Sequence, residues 1–308
     1  MMHPQEIQAA FQRGENVTGL LRRATDSAVN TEEIIETAYD LQSGRYVAGL
    51  DDPNHHKHQV AYGRRIADEI AELVGAGASL LEPGVGEGTT MSFVIDARDD
   101  ERDEYHGFDL SWSRIAVCRK WLTGRGLTKP FLAVGSLLQA PYAENSFDAV
   151  YTSHTIEPNG GREAPILQEL YRIASRYLLL FEPGYEFAPP EAQERMERLG
   201  YVRDLAKQAE SLGMKVVKNE PLGFSANPMN PTAIPVLEKN ATAPSATPRL
   251  ACPRFGDELE RRGDCFYSPG SLLQAPYAEN SFDAVYTSHT IEPNGGREAP
   301  ILQELYRI

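Results

Sequence analysis

A chain of 308 residues with a net charge of −14 and 41% hydrophobic residues can bury one large core or two ordinary ones. Its acidity disfavours a protein that grips nucleic-acid backbone, because phosphate contacts need clustered Lys and Arg; RNA stays open only as the substrate of a local basic groove. The most apolar short run, Tyr177 to Phe181, is far below the roughly 20 residues of a membrane span, and MMHPQEIQAA has neither the basic flank nor the apolar stretch of a signal peptide. Three cysteines, Cys118, Cys252 and Cys265, form no disulfide framework, so a cytoplasmic location is expected.

Residues 1–60 read as short helices with polar breaks, a helical cap or lid. Within them Tyr39 and Tyr46 stand seven apart, two helical turns, and share a face if Gly44 does not break the helix. His55-His56-Lys57-His58 reads as a solvated loop: three imidazoles in four residues cannot converge on a regular element, and no Cys or acidic partner is spaced to complete a metal site. From Tyr62 the pattern sharpens. Tyr62, Ile66, Ile70, Leu73 and Val74 predict one helical face, ended by Gly75 and Gly77.

Apolar strands are then predicted at Ser79–Glu82, Tyr105–Leu110, Pro130–Val134, Phe147–Ser153 and Tyr177–Phe181. Between them, Ile115, Cys118, Trp121 and Leu122 share a helical face, as do Ile166, Leu167, Leu170 and Ile173. Strands alternating with helices predict an α/β fold with right-handed crossovers and a Rossmann-like, doubly wound, mostly parallel sheet. After a helical stretch near 190–213, the runs Met214–Asn219 and Thr232–Lys239 predict an antiparallel pair at the sheet edge, making seven strands in a domain over 61–240.

Residues 241–269 read as a Pro-rich linker followed by two turn-like segments, Cys252-Pro253-Arg254-Phe255 and Cys265-Phe266-Tyr267-Ser268. These resemble the start of a zinc ribbon with the second ligand of each pair replaced, so no metal is expected. The 39 residues 135–173 then recur letter for letter at 270–308, which reads as a recent duplication or an assembly join. The copy carries Ser271, His289 and Glu292 but no second glycine loop, so one site is expected rather than two.

The strand Leu80-Leu81-Glu82 runs into Pro83-Gly84-Val85-Gly86-Glu87-Gly88-Thr89 before a helix. Glycines at a strand's carboxyl end let the backbone turn sharply and approach a ligand. A dinucleotide fingerprint wants glycine at 89, where Thr stands, and Glu82 at the loop's entry would repel a pyrophosphate. A cationic amino-acid ligand suits this loop better, which favours S-adenosylmethionine over a nicotinamide dinucleotide. The second strand ends at Asp109, where a carboxylate can accept both ribose hydroxyls; the third ends Val134-Gly135-Ser136-Leu137.

The LLEPGVGEG loop, the GFD strand end and the PYAENSFDAVYTS segment, in this order and spacing, resemble the class I S-adenosylmethionine-dependent methyltransferases of the type 11 group, over about residues 60–240. The resemblance implies that Glu82, Gly84, Gly86 and Gly88 shape the methionine pocket, with Glu82 meeting the amino group directly or through water. It implies that Asp109 holds the ribose, that Ser136 and Leu137 face the adenine, and that Ser153 joins the cofactor set. Many relatives carry Asp where Ser136 stands, so this departure bears on adenine affinity. A lid role with acceptor contacts is implied for Tyr39 and Tyr46, and Tyr185 is a further candidate for the substrate rim.

Methyl transfer from a sulfonium needs mainly orientation and, for an oxygen or nitrogen acceptor, a base. Thr152-Ser153-His154-Thr155-Ile156-Glu157 ends the fourth strand; His154 titrates near neutrality and is the candidate base, with Glu157 to orient it. The leading expectation is a methyltransferase for a small-molecule acceptor. A cofactor-binding partner or regulatory protein without turnover, and an RNA methyltransferase, stand as alternatives.

Overall fold

The structure is a computed structural model that describes residues 3–225 and 227–239. The expected linker, the ribbon-like segment and the repeat at 270–308 lie outside the described residues. Four short helices open the chain: α1 (Pro4–Gln12), α2 (Val17–Thr25), α3 (Glu32–Asp40) and α4 (Arg45–Gly49). Three start on side-chain caps. His3 and Glu6 form a reciprocal capping box, Asn16 accepts from the Gly19 N–H, and Thr31 accepts from the Ile34 N–H. Val17, Leu21, Ile34 and Ala38 give this cap a small core of its own.

The next helix, α5, spans Pro53–Val74 and crosses the expected cap boundary at residue 60. The expected loop at His55–His58 is therefore helical. Asp52 caps the Asn54 and His55 N–H groups and Pro53 takes the first helical position, a start signal that outweighs the weak helix preference of the histidines.

The remaining elements are β1 (Ser79–Pro83), α6 (Thr89–Arg98), β2 (Glu104–Asp109), α7 (Trp112–Gly124), β3 (Phe131–Val134), β4 (Phe147–Ser153), α8 (Glu163–Ile173), β5 (Ala174–Pro183), α9 (Pro190–Leu199), α10 (Leu205–Ser211), β6 (Lys215–Pro221) and β7 (Thr232–Glu238). They build one seven-stranded sheet in the order β3-β2-β1-β4-β5-β7-β6. Strands β1 to β5 are parallel, and β7 runs antiparallel to both β5 and β6. The antiparallel edge is where Met214–Asn219 and Thr232–Lys239 place it. One crossover departs from the expected alternation, since no helix separates β3 from β4.

Both faces of the sheet are covered over its central strands, which is why β1, β4, β5 and β7 read as apolar runs, whereas the edge strand β6 is largely exposed. Leu178 and Leu180 pack with Ile166 and Leu170 of α8 on one face; Leu179 and Phe181 pack with Ile66 and Ile70 of α5 on the other. Each such side chain contributes about 1.5–3 kcal/mol by leaving water. Among the described residues no helix is long and apolar enough to cross a membrane. Strand order reverses between β1 and β4, and open α/β sheets bind ligands outside the carboxyl ends of the strands at such a point.

Candidate active site

A pocket opens there, lined by Gly84 after β1, Asp109 and Leu110 after β2, Leu137 after β3, and Ser153 and His154 at the end of β4. Its roof is the cap: Glu32, Ile35, Glu36 and Tyr39 follow the i, i+3, i+4, i+7 rule along one face of α3, and Tyr46 adds from α4. Polar bonds tie this roof to the sheet. Glu87 accepts from the Gly44 and Val47 N–H groups at 2.9 and 2.8 Å, Asp40 accepts from Ser111 and Ser113, and the Asn30 amide donates to the Pro158 carbonyl at 2.7 Å.

The three glycines of the β1–α6 loop do different work. Gly84, at φ +65°, faces the pocket, and a Cβ there would overlap the Thr155 side chain, whose hydroxyl donates to the Gly84 carbonyl at 3.2 Å. Gly86, at φ +56°, lies under the Arg114 guanidinium, whereas Gly88 lets α6 pack against Cys118 of α7 and does not reach the pocket. Glu82 is 2% exposed and sits behind the pocket wall, accepting from the Tyr151 hydroxyl at 2.9 Å. Burial pushes its carboxyl up to about 8; the Tyr151 hydrogen bond opposes this and the nearby Asp109 charge adds to it.

Asp109 is already engaged by the protein. Its Oδ2 accepts from the Gly86 N–H at 3.0 Å and its Oδ1 from the Ser111 N–H at 2.8 Å, with Arg114 Nη1 3.8 Å from Oδ2. Arg114 stacks on both expected lid tyrosines, its Cζ 5.0 Å from the Tyr39 ring centre and 4.8 Å from that of Tyr46. Gly44, at φ +89°, does break the helix between the two tyrosines. Their rings meet through Arg114 instead of through a shared helical face. Its Nε is buried with no hydrogen-bond partner.

At the end of β4, His154 adopts φ +51°, a left-handed conformation uncommon for a residue with a side chain. Its Nδ1 lies 2.6 Å from Glu157 Oε2 and its Nε2 2.8 Å from the Thr232 hydroxyl on β7. Asn230 donates to the same Glu157 oxygen at 2.9 Å. Burial opposes protonation of His154, but the Glu157 hydrogen bond and charge, helped by Glu182, outweigh it and raise its pKa. Burial likewise works against ionisation of Glu157, and its bonds from His154, Tyr201 and Asn230 prevail, so its pKa falls. Glu182 accepts from the Thr155, Ile156 and Glu157 N–H groups and so fixes the turn that carries His154.

Residues 80–176 match the model of a methyltransferase domain. The match begins in β1 and ends in β5, so it contains the glycine loop, Asp109, Arg114 and His154. Among solved structures the chain is similar to an S-adenosylmethionine-dependent methyltransferase from Aquifex aeolicus, at 17% identity over 56% of this chain and 88% of that one, with a TM-score of 0.42. It is also similar to magnesium protoporphyrin IX methyltransferase from Synechocystis with bound SAH, at 15% identity over 60% and 84% of the two chains, with a TM-score of 0.46. No curated protein sequence matches the chain.

The remaining candidates separate. Ser153 lines the pocket and shares a hydrogen bond of 3.1 Å with the Tyr62 hydroxyl. Ser136 does not line the pocket itself but bonds to Glu32, which lines it from the cap, and Leu137 beside it faces the pocket. Tyr185 does not join the pocket. Its hydroxyl donates to Glu197 at 2.7 Å and its ring packs on Ala188, Ala192 and Met196, because a short 3-10 turn after β5 directs it onto α9. Glu32, Glu36 and Arg114 were not among the residues expected from sequence. The periodic face that follows the Thr31 cap was the available signal for the first two; Arg114 carries no local signal.

Proposed function

We propose that this chain is an S-adenosylmethionine-dependent methyltransferase acting on an oxygen or nitrogen of a small-molecule acceptor. The observation that carries the reading is the convergence of Gly84, Asp109, Leu137 and His154 on one pocket within the matched domain. These residues fit the cofactor's chemistry. Leu110 and Leu137 offer apolar surface to a flat base, Asp109 offers carboxylate oxygens to ribose hydroxyls, and Arg114, with its buried unpartnered Nε, offers a cation to an amino-acid carboxylate. When bound, S-adenosylmethionine supplies a methyl group on a sulfonium that is already a good leaving group. Glu82, buried behind Gly84, would hold its ammonium directly or through water.

His154 is the proposed base, with Glu157 fixing its ring through Nδ1. Thr232 occupies Nε2, so an acceptor proton reaches that nitrogen as the acceptor hydroxyl or amine replaces the Thr232 hydroxyl. Tyr39 and Tyr46 form the roof against which the acceptor is held. His154→Ala is expected to lower kcat at least about a hundredfold, within the range of general-base contributions, while S-adenosylhomocysteine still binds. Unchanged turnover of an identified acceptor would remove His154 from this role. The full engagement of both imidazole nitrogens favours a second reading, a cofactor-binding protein without turnover.

Thermal melting with S-adenosylhomocysteine, NAD and ATP tests the cofactor assignment. Only the first is expected to raise the melting temperature, a ligand at a hundred times its Kd contributing about 2.7 kcal/mol. Stabilisation by NAD alone would overturn it. Bound cofactor that no acceptor consumes would favour the non-catalytic reading.

A further inference from the structure

The hydroxyl proton of the polar side chain after β3 is already committed. Ser136 donates its hydroxyl proton to Glu32 Oε1, and its oxygen accepts from the Leu138 N–H at 2.9 Å. Ser136 therefore has no proton left for a ligand, and it carries no charge. The pocket still has a carboxylate at that point, because Glu32 itself lines the cavity beside Gly135, Leu137 and Leu138. It comes from the first turn of α3, 104 residues away in sequence. Its Oε2 makes no hydrogen bond among the described residues.

A flat base held against Leu110 and Leu137 would present its polar edge to the groups that line the pocket after β3. An ionised carboxylate only accepts. It favours an exocyclic amino group and opposes a carbonyl oxygen, which would bring two acceptors together with neither bonded. We propose that Glu32 reads the 6-amino group of the adenine ring, so that the determinant of base selectivity is supplied by the cap and not by the sheet. The assignment rests on the cofactor reading above. It also makes recognition of the base and seating of the cap one event, since Glu32 reaches the pocket only while α3 lies on it.

Titration calorimetry of the full chain with S-adenosylhomocysteine and with its 6-oxo analogue, S-inosylhomocysteine, tests this. The wild-type protein is expected to prefer the 6-amino ligand by at least about tenfold, as for a hydrogen bond to a charged acceptor. Glu32→Ala should weaken S-adenosylhomocysteine and, by removing the opposed acceptor, bind S-inosylhomocysteine no more weakly than wild type does, so the preference disappears. Glu32→Gln keeps the side-chain shape should the alanine variant lose its fold. Its carboxamide can donate to the 6-oxo oxygen, so the preference should also fall, toward the 6-oxo ligand. Equal weakening of both ligands in both variants would overturn the proposal and leave Glu32 as a strut of the cap, as would a wild-type protein that does not discriminate. A wild-type protein that binds neither ligand overturns the cofactor reading as well, which separates the two failures.

Discussion

Asp109→Asn is expected to weaken S-adenosylhomocysteine binding by at least about a hundredfold and to lower the melting temperature of the ligand-free protein. The carboxylate is 6% exposed and clasps two backbone N–H groups, Gly86 and Ser111, one on each oxygen. An amide at this position must point its NH2 at one of them, and a buried donor left unsatisfied costs about 1–3 kcal/mol. It also removes the counter-charge of Arg114, whose side chain is 11% exposed and lies 3.8 Å from Asp109. Leaving one partner of a buried pair unmatched costs about 3–5 kcal/mol. The ligand loses charge-assisted bonds worth about 1.5–3 kcal/mol each, which yields the hundredfold figure. The double variant Asp109→Asn with Arg114→Met separates the two effects. It should recover part of the melting temperature because no unmatched cation remains, and recover little of the affinity. Titration calorimetry showing Asp109→Asn within about threefold of wild type would end the assignment of Asp109 to the ribose.

Where the sequence reading succeeded, the relevant physics was local or periodic. The runs expected at Ser79–Glu82, Phe147–Ser153 and Thr232–Lys239 correspond to β1 (Ser79–Pro83), β4 (Phe147–Ser153) and β7 (Thr232–Glu238), which are buried on both faces, and a largely apolar run bounded by turn residues announces that directly. The loop after β1 was legible because glycines at positive φ leave few alternatives. The failures are of two kinds. At His55–His58 a local signal was present, Asp52-Pro53 as cap and first helical residue, and the run of histidines masked it. Elsewhere the information is non-local. Tyr39 and Tyr46 meet because Arg114 threads between their rings, and Ser136 stands opposite Glu32; no window of neighbouring residues contains either pairing. His154 was legible as a titratable group after β4, but its second bond comes from Thr232, 78 residues on, at the far end of an antiparallel insertion.

Cofactor affinity is expected to rise with pH between 6 and 8, approaching tenfold per pH unit at the acid end of that range. Glu82, 2% exposed and bonded by the Tyr151 hydroxyl, has its carboxyl pushed by burial to about 8, so in the ligand-free protein it is mostly protonated at neutral pH. An ammonium ligand requires the anion. Binding therefore expels a proton, and the penalty for removing it shrinks as pH climbs to the pKa. The rise ends where Glu82 is already ionised in the ligand-free protein, near its pKa of about 8. Stability of the ligand-free protein must move the other way. A carboxyl whose folded pKa is raised binds more protons folded than unfolded; its contribution is complete below the ordinary glutamate range and lost as pH rises through about 8. Glu182, which burial pushes to about 7, adds to the same slope. A ligand-free melting temperature that falls from pH 6 to 9 while affinity rises from pH 6 to 8 cannot come from general loss of the fold. Glu82→Gln should flatten the affinity profile and weaken binding at pH 8 by at least about tenfold, while the Glu182 part of the melting slope persists. Calorimetry in two buffers of different ionisation enthalpy counts the proton: close to one released per cofactor at pH 6.5 in the wild type, and none in Glu82→Gln. A wild-type count of zero would mean that Glu82 stays protonated beside the bound ligand and that another group holds the ammonium.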